Sequence, residues 1–391
     1  MNSMETLQPI LDRAGKRSLV LGLIALAICV GGAMSSPSQF LRSYLVAYLF
    51  WLGLTLGCLA IVMLHHLVGG NWGHVIRRAL ESGTRTLPLM LALILPLLWG
   101  MPRLYSWAGA ATGAMDRGSR FQRLYLSPPL FIARAAIYFA VWIIMAYLLN
   151  RWSSEHDRTA QQGLMDRLRS LSGPGLVLYG LTVTFAVIDW AISLEAPWFS
   201  TIYGMIFIVI QALAAMSFVI VVTMFLAKRK PLAGVISPAH FHDLGNLLLT
   251  FVMLWGYLSF SQFLIIWSGN LPEEIPWYVK RGTGEWGGLA LFLIIFHFAV
   301  PFVLLLSRSV KRKAGSLAAV AAALIVVSLV DVFWMVTPAF EPARPRVHWM
   351  DVLAPVGIGG IWVAWFLRQL RSRPLLPLHD PRFEVVPAHG D

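Results

Sequence analysis

A chain of 391 residues that is 58% hydrophobic and only 13% charged, with a mean hydropathy of +0.69, carries more apolar surface than a water-soluble core of that size can enclose, which excludes an ordinary soluble domain. Its formal net charge of +12 sits in short basic stretches between apolar runs, the pattern of membrane topology rather than of a nucleic-acid interface. The two cysteines, Cys29 and Cys58, each lie inside an apolar run and supply no Cys-x-x-Cys, haem-attachment or iron–sulfur ligand set, so cysteine-based chemistry is excluded.

Ten apolar stretches are long enough to cross a hydrocarbon layer of roughly 30 Å. The first, Ser18–Ser35, follows Arg13, Lys16 and Arg17 without a small-residue cleavage site, so it reads as a retained span rather than a signal peptide. Leu41–Val68, Thr86–Tyr105, Pro128–Trp152 and Pro174–Leu194 come next, then Thr201–Ala227, Leu244–Ser268, Gly284–Ser307, Ser316–Val336 and Asp351–Leu370. The longest connections are the segments 106–127 and 153–173. In the second, Leu164, Leu168 and Leu171 recur at helical intervals amid charge, which predicts a short amphipathic helix lying along the membrane surface. The tail after Arg373 is proline-rich and polar, and reads as extended.

With the N-terminus inside, most of the 31 Lys and Arg residues fall in cytoplasmic loops, so both termini are expected in the cytoplasm. The expected fold is all-α and polytopic. Spans two to five and six to nine divide into two four-helix sets, residues 41–195 and 196–340, with the first helix (1–40) and the last helix and tail (341–391) at the periphery. No internal sequence repeat marks that division.

Polar side chains at membrane depth must face protein or trapped water, and they mark where chemistry can sit. The seventh span opens with His240, His242 and Asp243, carries Ser259, Ser261 and Gln262 in its outer half, and closes on Glu273 and Glu274, which read as a solvated interfacial pair. Asp189 and Glu195 lie toward the outer end of the fifth span, Asp331 in the outer half of the ninth, Asp351 at the start of the tenth, and His297 near mid-depth in the eighth. Buried carboxylates and imidazoles titrate near neutrality, so His240, His242, Asp243, Gln262, Ser261, His297, Asp331, Asp189 and Glu195 form a candidate proton path. Each has a plainer reading. Asp189 is placed to pair with Arg134 or a neighbouring hydroxyl, His297 to answer the carbonyl freed by Pro301 four residues on, and Gln211 to join helices.

His65 and His66 point about 100° apart on a helix and cannot ligate one haem iron together. The sequence contains no phosphate loop, Rossmann fingerprint or zinc motif, so no metal ligands and no catalytic group are assigned. A free-standing proton-coupled transporter is a further rival class, but such folds break helices at the midplane, and interruptions here are few beyond Pro96, Pro301 and the glycines of the tenth span.

Three blocks carry a family resemblance: DWAISLEAPWFSTIYG from Asp189 to Gly204, HDLGNLLLTFVMLWGYLSFSQFLIIWSGNLPEEIPWY from His242 to Tyr278, and HFAVPFVLLLSR from His297 to Arg308. LSPPLFIARAAIYFAVW and HWMDVLAPVGIGG fit the same pattern. Together they resemble the NrfD/PsrC-like membrane subunits of Alternative Complex III, the bacterial quinol:cytochrome c (or high-potential iron–sulfur protein, HiPIP) oxidoreductase, and among them the second, ActF-type subunit. The resemblance implies ten helices in two four-helix bundles. It also implies partners: a multihaem cytochrome c, a large molybdopterin-like iron–sulfur subunit, a sister NrfD-like membrane subunit, small membrane-anchored subunits and often a terminal oxidase. Haem c and iron–sulfur clusters would belong to those partners and none to this chain, in the inner membrane of a bacterium. Within such complexes the sister subunit is the better candidate for the quinol site; the alternative reading makes this chain a quinol-binding catalytic subunit, with Asp189 as proton acceptor and Arg134 orienting the headgroup. The fourth span here contains no histidine to take a quinol proton, and only Arg134, Tyr138 and Asp189 are placed to meet a quinone headgroup.

Overall fold

The computed structural model describes residues 7–109, 124–159, 161, 163–195, 198–229 and 232–375. Among them ten helices are long and apolar enough to cross a membrane, and no strand occurs. They are α1 (Gln8–Ala33), α2 (Pro37–Val68), α3 (Asn71–Trp99), α4 (Pro128–Thr159), α5 (Gly163–Glu195), α6 (Tyr203–Ala227), α7 (Pro238–Gly269), α8 (Gly284–Leu306), α9 (Ala314–Ala339) and α10 (Trp349–Arg371). The protein is an all-α, multi-pass membrane protein.

The central helix is α2. It is apolar on every side, and a helix of that kind sits in a core or in lipid. What brings it inside is the glycine spacing. Gly53 and Gly57, one turn apart, face Gln211 of α6, and a Cβ on Gly57 would fall 2.1 Å from the Gln211 carbonyl oxygen. The two backbones therefore touch, as small residues permit in membrane helices. The Gln211 side chain accepts a 2.7 Å hydrogen bond from Tyr179 of α5, so α2, α5 and α6 meet at one polar point. Around this seam α2 packs on α3 and α5 while α4 packs on α5; on the other side α6 packs on α7 and α9, and α8 on α7 and α9.

At the edge, α1 lies on α10 at backbone distance. A Cβ on Gly22 would stand 2.8 Å from the Gly357 carbonyl oxygen. Asp12 accepts from Arg371 at 2.6 Å, so the start of α1 and the end of α10 share one face of the molecule, here the N-terminal face. The other side of α1 exposes Leu21, Ile24 and Val30. In turn α10 is held on α2 by Trp51 Nε1 to the Pro355 carbonyl (2.9 Å) and Trp362 Nε1 to Thr55 Oγ1 (2.8 Å).

Two expectations are corrected. The third span begins at Asn71, not Thr86: the stretch read as a basic loop is the buried helix Asn71–Thr84. Its charges are answered across the interface. Glu81 accepts from Arg77 (2.9 Å), Arg78 (2.7 Å) and Ser153 of α4 (2.5 Å), and Arg78 also pairs with Asp157. Hydropathy scores each residue against water and so cannot see a partner on another helix. Beyond it α3 restarts at Leu87 and Leu95, each time with a proline in the first turn, where no backbone N–H is required.

The expected surface helix is likewise the first part of α5, which runs unbroken through Pro174 with Leu164 and Leu168 buried. Helical spacing reports one apolar face but not whether the axis lies along or across the membrane. Most of the 106–127 connection, residues 110–123, and the tail read as extended, residues 376–391, lie outside the described residues.

Candidate functional site

The strongest cluster of buried titratable groups predicted for a path sits between α7, α8 and α9. In α8 the chain departs from α-geometry: Ile294–Ala299 form a π-turn, closed by the Val300 N–H donating to the Ile295 carbonyl. Pro301, just beyond, lacks the N–H that an α-helix would direct at the His297 carbonyl. Such turns widen the helix locally and often mark functional positions. Here the turn carries His297, fully buried, toward Asp331 of α9, which is 2% exposed.

His297 Nδ1 stands 3.2 Å from Asp331 Oδ2, off the line of a hydrogen bond, while Nε2 lies 3.3 Å from Ser328 Oγ. Trp255 of α7 donates Nε1–H to the same Asp331 oxygen at 2.8 Å and lays its ring 4.4 Å from the imidazole. The side chain of His297 is therefore directed at Asp331 and Ser328 rather than folded back to serve the proline-freed carbonyl. At this distance a small rotation of either the ring or the carboxylate would close a hydrogen bond between the two.

Toward the opposite face the polar contacts continue. One turn beyond Asp331, the Met335 carbonyl accepts from Arg281 Nη2 (3.0 Å) and from the Tyr203 hydroxyl (3.3 Å). Arg281, 1% exposed, lies on the short helix Ile275–Gly282, with its guanidinium 4.0 Å above the Trp277 ring. It donates to Glu195 at 2.7 Å, and Lys280 holds the other oxygen of that carboxylate. Gln262 is buried and accepts from Ser200 at 3.1 Å. Burial pushes the nearby Tyr278 phenol up, so it stays protonated. Ser261, next to Gln262 on the helix, is rotated about 100° from it and only half buried, which leaves it out of the cluster.

At the N-terminal face the predicted entrance takes a different form. His240 caps α7, its Nδ1 accepting from the Ser237 backbone N–H at 3.1 Å, so its acceptor atom is spent on the helix end. Asp243 is exposed, with His242 Nδ1 3.8 Å away. His242 also approaches Asn246 (3.3 Å), whose Oδ1 accepts from the buried Lys311 at 2.7 Å. From Asn246 to Trp255 is about 13 Å along α7. Leu248, Val252, Leu317, Ala321 and Leu324 fill that interval, all buried. The predicted row is thus two polar centres with an apolar plug between them.

Arg134, Asp189 and Tyr138 do come together, as a closed unit. Arg134 Nε and Nη2 each donate to one Asp189 oxygen at 2.8 Å, the Tyr138 hydroxyl adds a third bond at 2.8 Å, and Asp189 is fully buried. Arg134 also donates to the Tyr125 carbonyl (2.8 Å) and lies 3.8 Å over that ring. Burial pushes the Tyr125 phenol up to about 12, so it too remains neutral. Both Asp189 oxygens are thus taken by the guanidinium and the phenol. The void beside neighbouring Trp190 is about 10 Å³, room for one water. Asp351 serves the start of α10, bonding the His348 N–H (2.8 Å) and Ser43 Oγ (2.5 Å).

Sequence reasoning missed Trp255, Ser328, Lys311 and Arg281. The first two look like ordinary span residues until Asp331 is opposite them. The last two were counted among loop charges that orient the chain. Comparison with known protein families finds no match, and comparison with curated proteins finds none either.

Proposed function

We propose that the chain is the ActF-type membrane subunit of an Alternative Complex III, a quinol:cytochrome c (or HiPIP) oxidoreductase, where it holds the redox subunits in place and carries protons through α6–α9. The reading of the complex rests on the sequence blocks that resemble this family. The proton-carrying role rests on one observation: an Asp331–His297 pair buried within the protein, delivered by a π-turn in the middle of a long apolar stretch of α8. An ionisable pair costs free energy to bury, and chemistry is what such a pair supplies in return.

In this reading both termini face the cytoplasm of a bacterium, and haem c and the iron–sulfur clusters sit in the partners. Quinol is oxidised in the sister subunit, in keeping with the closed Arg134–Asp189 unit. The apolar plug below Ser328 makes the route a gated one, because protons cross it only when water or a side-chain movement bridges about 13 Å.

The test is Asp331→Asn in the assembled complex. Asparagine keeps an oxygen for Trp255 but cannot hold a charge, so turnover with a fall in protons moved per electron is expected. Unchanged stoichiometry at unchanged turnover removes Asp331 from the route. Purification tests the complex itself: c-type haem should accompany the chain, and a protein that purifies alone and colourless is not this subunit.

A further inference from the structure

Between α3, α4 and α10, on the N-terminal face, lies a partly open cleft of about 800 Å³. One stripe of α4 lines it: Ile143, Tyr147, Arg151, Ser154 and Arg158, spaced three or four residues apart and so stacked on one helix face. Over roughly 22 Å the stripe passes from apolar at depth to basic at the mouth. The facing walls repeat the gradient, with Leu87 and Trp365 deep and Arg85 and Arg373 at the rim.

Four guanidinium groups thus meet one carboxylate, Glu155, in the lining. Arg85 is held by neutral partners, Gln369 Oε1 (3.2 Å) and Ser372 Oγ (3.1 Å). Arg373 bonds the Asn150 carbonyl (3.1 Å) and reaches Glu81 at 3.5 Å, and burial draws it down to about 10, so its charge is poorly solvated where it lies. Arg151 and Arg158 have no ion pair among the described residues. Ser154 Oγ is buried and has no hydrogen-bond partner among the described residues.

We propose that this cleft binds one anionic glycerophospholipid of the surrounding bilayer, its phosphate among Arg85, Arg151 and Arg158 and its acyl chains along Ile143, Tyr147 and Leu87. A basic pocket between membrane helices is the form such recognition takes. A zwitterionic headgroup would bring an ammonium into a cationic mouth, and free phosphate would leave the apolar wall uncovered. The occupant that matches both ends carries net negative charge and hydrocarbon on one molecule.

The experiment uses the purified protein, within its complex if it comes as one, after exhaustive detergent exchange. Thermal unfolding and native mass spectrometry are followed as phosphatidylglycerol, phosphatidylcholine or inorganic phosphate is added. Phosphatidylglycerol should raise the Tm and remain bound, and the other two should do neither. In Arg151→Gln/Arg158→Gln, which alters exposed side chains only, affinity for phosphatidylglycerol should fall roughly 30-fold, at about a factor of five per charge. Equal stabilisation by phosphatidylcholine, a shift produced by phosphate alone, or full retention in the double variant would each overturn the proposal. If the double variant does not fold, the wild-type preference for phosphatidylglycerol over phosphatidylcholine decides alone.

Discussion

Asp189 and Asp331 occupy similar places, each buried toward the C-terminal end of its helix, α5 and α9, yet their surroundings assign them different work. Asp189 meets a permanent cation through two parallel bonds and a phenol besides, which locks the charge in place. Asp331 meets an imidazole, whose charge is optional, and one indole N–H. Removing one member of a locked buried pair strands the other: Asp189→Leu should cost about 3–5 kcal/mol of stability, and Arg134→Leu/Asp189→Leu should recover most of it. Denaturant unfolding in detergent measures both, and a double variant as unstable as the single one would mean that the pair is not what the site depends on. Asp331→Asn, by contrast, should leave the unfolding midpoint close to wild type, because no permanent charge is orphaned.

At the scale of the helix, the departure from regularity in α8 has a local cause and a distant consequence. The π-turn ahead of Pro301 alters the rotation of His297 relative to a straight α-helix, and that rotation is what aims the ring at α9. Pro301→Ala restores an N–H for the His297 carbonyl and lets the turn relax to α-geometry. The variant should therefore gain thermal stability, since an interior proline costs about 3 kcal/mol, while losing proton stoichiometry as Asp331→Asn does. A Pro301→Ala protein that is more stable and moves protons normally would separate the π-turn from the route. The same logic explains the glycines of α1, α2 and α10: what is absent, a Cβ, sets the interhelical distance.

For the molecule as a whole, the ten helices place the start of α1 and the end of α10 on one face, and the His348 end of α10 on the other. Cysteine labelling distinguishes the two orientations. Cys29 and Cys58 are buried, so an introduced thiol reports with little background. With the N-terminal face inside, Val347→Cys, 71% exposed, should react with an impermeant maleimide on intact cells. Asp243→Cys, on the exposed turn at the start of α7, should react only after permeabilisation. The opposite result would invert the topology.

The number and order of the spans follow from the sequence alone, because hydrocarbon tolerates no unsatisfied backbone and the long apolar runs of this chain can meet that condition as helices. The presence of ionisable groups at depth follows as well, since each is conspicuous against its neighbours. Which of them meet was decided by tertiary structure. Rotation about a helix axis, a π-turn near mid-span and a glycine seam between α2 and α6 determine that Asp331 faces His297 and Trp255, that Ser261 turns away, and that His240 ends as a cap. None of these is visible in a window of hydropathy. The largest misreading, the buried Arg77–Arg78–Glu81 helix, has the same origin: a charge is assigned to water by default, and only the folded chain shows the Ser153 and Asp157 that take the place of water.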